Sequence, residues 1–140
     1  MSEQNEKLKH LEFLQNVITR MNRNSFQLKG WAITIVSAIL ALAASTKNYD
    51  ILYAGLLAPV VFWFLDAYYL HQERKYRALY EDAAELSDTP NPVDRFSMNA
   101  GDYEKGVGAY VSVLLSRTIW PIYVATIGIV TVSLLWLSRS

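Results

Sequence analysis

Three stretches of this sequence have no place in water. "GWAITIVSAILALAAST" (30–46), "ILYAGLLAPVVFWFLDAYYL" (51–70) and "TIWPIYVATIGIVTVSLLWL" (118–137) hold one charged side chain between them, Asp66. Each approaches the roughly 20 helical residues that cross a bilayer's hydrocarbon. Apolar residues make up 52% of the chain and charged ones 19%. A soluble bundle would need to cover three helices that are apolar all round, and too few residues remain to do so. The small residues of "ALAAS" (41–45) suit a signal peptidase, but Glu3, Glu6 and Glu12 precede the first run, where a secretory signal carries a short basic region. The expected fold is therefore all-α: an integral membrane protein with three transmembrane helices, forming a single membrane domain over 1–140.

Net charge is zero, so its distribution is what informs. Lys7, Lys9, Arg20, Arg23 and Lys29 precede the first run, and Arg74, Lys75, Arg77, Arg95, Lys105 and Arg117 lie between the second and third. Only Lys47 and Arg139 fall elsewhere. By the positive-inside rule the N-terminus and 71–117 are cytoplasmic and the C-terminus is outside. The absence of cysteine removes disulfides, thiolate metal sites and thiol catalysis.

Leu11, Leu14, Ile18, Met21 and Leu28 follow steps of three and four, with Ser25 in the missing slot. This predicts an amphipathic cytoplasmic helix over 5–28. Gly30 alone is a weak breaker, so that helix continues into the first span. "KNYD" (47–50) is a tight turn that sets the first two spans antiparallel. Beyond Leu70 the helical pattern persists to about 86: Tyr76, Leu79, Tyr80 and Ala83 share a face, and Glu73, Arg77 and Glu81 another. "SDTPNPVDRFSMNAGDY" (87–103) reads as a loop. One last helix is expected to start between 103 and 108, run along the inner surface and enter the membrane at Thr118, kinked by Pro121.

Asp66 falls about 6 Å from the inner end of its span, near the lipid boundary. A carboxylate costs less there than at the midplane. Bracing by Lys29, Arg117 or Arg74 is one use for it; a ring of carboxylates at the mouth of an oligomeric pore is another, and a proton relay a third. Ser37, Ala41 and Ser45 recur every four residues, as do Ala54 and Ala58, and such spacing suits close helix packing. Pro59 bends its span or frees a carbonyl. Arg74, Lys75 and Arg77 suit lipid headgroups. Leu11, Leu14, Ile18, Met21, Tyr76 and Tyr80 are candidate contacts between cytoplasmic helices in a homo-oligomer. His10 and His71 lack partners at metal-ligand spacing, and no phosphate loop, nucleophile elbow or zinc motif occurs. No cofactor, metal or enzymatic activity is expected. The acids beside "QERKYR" argue against nucleic acid.

The segment Phe62 to Asp82, with its aromatics, Asp66, Tyr68 to Leu70, Glu73, Arg74, Arg77, Leu79 and Tyr80, resembles small bacterial membrane proteins of phage-defence neighbourhoods, the multi-helix effectors of the SLATT type. The resemblance implies a bacterial inner-membrane location and an oligomer that forms pores or disrupts the membrane in antiviral defence. Such effectors usually have two spans, and this chain has a third. The alternative is a non-conducting anchor that recruits a cytoplasmic partner protein or receives a signalling ligand.

Overall fold

A computed structural model describes residues 2–140. The described residues fold into four helices: α1 (Glu3–Thr46), α2 (Ile51–Ala83), α3 (Val107–Leu114) and α4 (Trp120–Leu137). Among the described residues there is no strand.

Helix α1 starts where Ser2 Oγ accepts from the Asn5 amide at 3.4 Å, with Glu3 and Glu6 in the first turn opposite the helix dipole. It runs unbroken through Gly30, so the seam residues and the first apolar run share one rod about 65 Å long. Lys47, at φ 53°, ends it in the left-handed region. The chain then turns through 47–50 and returns as α2, which packs antiparallel against α1 from the turn to the level of Leu14. Pro59 sits buried inside α2, where its missing N–H leaves the Gly55 carbonyl without a helical donor. Gly55 has no Cβ because it has no room for one: that atom would lie 3.1 Å from Ile39 Cγ2 and 3.4 Å from Val130 Cγ1. Here α1 and α4 both pack against the backbone of α2.

Three packing centres follow the hairpin from end to end. At the turn end, Val36, Ala43, Leu52 and Val130 join α1, α2 and α4. In the middle, Ala32, Ala67, Val113, Ile119 and Tyr123 bring in α3. At the far end, or head, Leu14 and Leu79 pack against Ala100 from the segment after α2. That segment, residues 84–106, folds back along the hairpin from its tip toward α3.

α1, α2 and α4 are long and apolar enough to cross a membrane, which supports a membrane protein. The most apolar window of α4 has mean hydropathy 1.8, yet only 11% of it is buried. Its outward Ile129, Val132, Leu135 and Trp136 therefore need a nonaqueous neighbour.

The structure departs from the sequence reading at two places. α2 ends at Ala83, not near 86, because Glu85 takes φ 59° and closes a Schellman turn in which the Leu86 amide donates to Glu81 O and the Glu85 amide to Asp82 O. The single last helix is two. Ser116 O accepts from the amides of both Ile119 and Trp120 and breaks the rod, so Pro121 sits in the first turn of α4, where a missing N–H costs nothing, and makes no kink. The residues read as candidate contacts between cytoplasmic helices lie in or beside the packing of the single chain. Leu14 and Ile18 are buried, Leu11, Met21, Tyr76 and Tyr80 are half-buried, and Tyr76 and Tyr80 pack against the Leu14–Leu79 centre.

Candidate functional site

Asp66 is the centre of the molecule's buried polar chemistry. It is 0% exposed although it lies in an apolar run. Three donors satisfy it. Ser25 Oγ donates to Oδ1, Lys29 Nζ pairs with Oδ2 at 2.6 Å, and Tyr123 Oη donates to Oδ2 at 3.0 Å. Lys29 also reaches Ser25 Oγ at 2.9 Å, which closes the network. Ser25 and Lys29 are one turn apart on α1 and therefore point the same way. Tyr123 is one turn into α4, its ring stacked on Trp63 of α2 with centroids 6.2 Å apart. A single carboxylate thus ties together α1, α2 and α4.

Burying two charges costs several kcal/mol each unless geometry and hydrogen bonds compensate, and both conditions are met here. The pair is neutral overall. The network sits level with the first turn of α4. Asp66 thus has no exposed surface, and both of its oxygens are engaged within the chain.

The other candidates divide as follows. Arg117 is exposed and takes no part in the network, while Arg74 Nη2 donates to Ser116 Oγ at 3.3 Å. Arg77 is held by Glu73 one turn earlier. Lys75 is half-buried. Ser37, Ala41, Ser45 and Ala54 are exposed and Ala58 is half-buried, so the row of small residues does not pack the hairpin; Ala32, Val36, Ala43 and Gly55 do.

Two partners of Asp66 escaped the sequence reading. Ser25 was visible as a polar residue in an apolar seam one turn before Lys29, and that was its signal. Tyr123 carried none beyond its place near the start of the third run.

A second polar cluster lies in the head. Asp82 accepts from Tyr103 Oη at 2.7 Å, Asn91 Nδ2 at 3.0 Å and Ser87 Oγ at 2.9 Å. These bonds, the one from Tyr103 foremost, hold its carboxyl below the usual carboxylate range. Burial and then the bond to Asp82 push the Tyr103 hydroxyl up to about 12. Beside the cluster a cleft of about 450 Å³ opens between the tip of the hairpin and the returning segment. Its charges are largely paired: Arg95 with Glu3 and Glu6, and Lys7 with Glu85. His10 Nε2 lies 2.8 Å from Ser97 O. Among the described residues no three His, Cys, Asp or Glu side chains are grouped to hold a metal ion.

Where α2 leaves the apolar level, His71 is buried under α3 with its ring edge-on to Tyr110, and Nδ1 has no hydrogen-bond partner. Burial first, then the nearby Lys75, lowers its pKa.

No family model, curated protein or solved structure matches the chain.

Proposed function

We propose that this is a multi-pass protein of the bacterial inner membrane whose three spans hold a rigid cytoplasmic head, and that the head docks a soluble partner protein. The charge asymmetry supports an N-terminus inside and a C-terminus outside. The observation that carries the reading is the complete enclosure of Asp66 by Ser25, Lys29 and Tyr123. The one charged group of the spans is spent on bracing, which favours a stand over a conduit. The test is capture of the full-length protein from its native membrane. A soluble partner at fixed stoichiometry is expected, together with no ion flux in proteoliposomes. Conduction by the reconstituted protein overturns the reading.

One observation favours a second reading, an oligomeric pore-forming or membrane-disrupting effector in anti-phage defence. Ser37, Ala41 and Ser45 face outward from α1, where a second copy could approach closely in lipid. Three helices enclose no aqueous path, so conduction requires several chains. This reading expects growth arrest on overexpression, relieved by Ser37→Leu with Ala41→Leu. Unchanged growth with the wild-type protein excludes it.

A further inference from the structure

Helix α3 and the cations around it are not explained by the Asp66 brace or by the head. One face of α3 is fixed: Val113 is fully buried, Trp63 Nε1 donates to Leu114 O at 3.0 Å, and Tyr110 Oη donates to Phe64 O at 2.8 Å. Phe64 lies two residues deeper in its apolar run than Asp66. These bonds therefore place α3 at the level where α4 begins, alongside the hydrocarbon boundary. The other face is bare. Val107 is 79% exposed, Val111 42% and Leu115 64%, spaced four apart on one stripe. Trp120 and the outward side chains of α4 are likewise exposed.

Cations stand beside it. Arg74 reaches Ser116 in the connection after Leu115, Arg117 is the next residue, and Lys75 adjoins Arg74. Among the described residues none of the three forms an ion pair. Arg77, by contrast, is neutralised by Glu73, and Lys105 by Asp102. Glu104, at the start of the turn into α3, lies close enough to act on the charge of His71 below α3.

We propose that α3 lies in the headgroup region of the bilayer and that Arg74, Lys75 and Arg117 form with it a binding surface for anionic phospholipid. The occupant is a lipid because the apolar stripe and the cations are adjacent. A free anion would use only the cations, and an acidic protein would leave the stripe in water. Helices with one apolar face flanked by basic side chains lie at such interfaces, and each cation near an anionic surface strengthens binding about fivefold. The proposal rests on the reading that the three apolar helices span a membrane.

Two measurements on the full-length chain test it. The first is the shift of the detergent-solubilised protein's thermal midpoint with added phosphatidylglycerol, phosphatidylcholine or inorganic phosphate. Phosphatidylglycerol alone is expected to stabilise the wild type. Replacing Arg74, Lys75 and Arg117 by glutamine is expected to cut lipid retention, read by native mass spectrometry, about a hundredfold. Equal stabilisation by both lipids, stabilisation by phosphate, or undiminished retention overturns the proposal. The second uses the absence of cysteine: a spin label on Val111→Cys, with Val107→Cys as a second site. In vesicles both labels are expected to be relaxed by oxygen and sheltered from a water-soluble nickel chelate; the reverse overturns the proposal. Extraction of the wild-type protein by alkaline carbonate would instead defeat the membrane reading itself, so the two failures are distinguishable.

Discussion

Removing one member of a buried ion pair is far more costly than removing both. Lys29→Met leaves the Asp66 carboxyl sealed from water without its cation, and is expected to lower stability by about 3–5 kcal/mol. Tyr123→Phe deletes one of three donors and should cost about 1–3 kcal/mol. The double variant Lys29→Met, Asp66→Leu should recover most of the loss of the first. Thermal unfolding in detergent closes the cycle, and penalties that simply add would show that the residues do not act as a unit. The sequence made the pairing legible but not the choice of partner. Depth along a helix can be counted from the sequence, and it admitted Lys29, Arg74 and Arg117 equally. Direction around the bundle depends on tertiary packing, and only Lys29, one turn after Ser25 on the face buried against α2, points at the carboxylate.

Among the elements, the spans were the most legible because lipid accepts little except a long apolar helix. The break between α3 and α4 was not: no glycine or proline marks residues 115–119, and the interruption rests on the Ser116 carbonyl capturing two amides. The small-residue rows show a related limit, since spacing gives a face without saying what it meets. The contact that needs a small residue is Gly55. Gly55→Ala would make Ile39 yield by a few tenths of an ångström, while Gly55→Leu is expected to push α1 and α4 off α2 and cost about 1–3 kcal/mol, read as a lower unfolding midpoint. In the head, the returning segment is locked to α2 by Tyr103 and Asp82. The depressed pKa of Asp82 means its contribution is complete above about pH 4, the unfolded carboxylate value, and disappears as acid titrates the folded group. Tyr103 works in the opposite sense: its contribution is complete below about pH 10 and is lost as pH rises toward about 12. Proteolysis of residues 84–106 should therefore accelerate at both extremes. Asp82→Asn should remove the acid limb, and retention of that limb would assign it to another group.

At the scale of the molecule, the consequential property is that head and spans share two helices without a joint. The Leu14–Ile18 seam and the Ser25–Lys29 clamp lie on one rod, so their relative rotation is fixed. One alanine inserted after Asn22 turns the seam about 100° against the clamp, and either the head or the Asp66 network must give way. Seven residues inserted there and seven after Lys75 lengthen both rods by about 10 Å and nearly restore the faces, so stability should return. Unfolding midpoints of the two variants check this, and equal midpoints would mean that the rods bend independently. The same pair of variants separates the functional readings. A docking head needs only its own fold, so the lengthened protein should still capture its partner. An effector whose spans respond to the head depends on rotational register. It should fail with the single insertion and keep its effect on growth in the lengthened form.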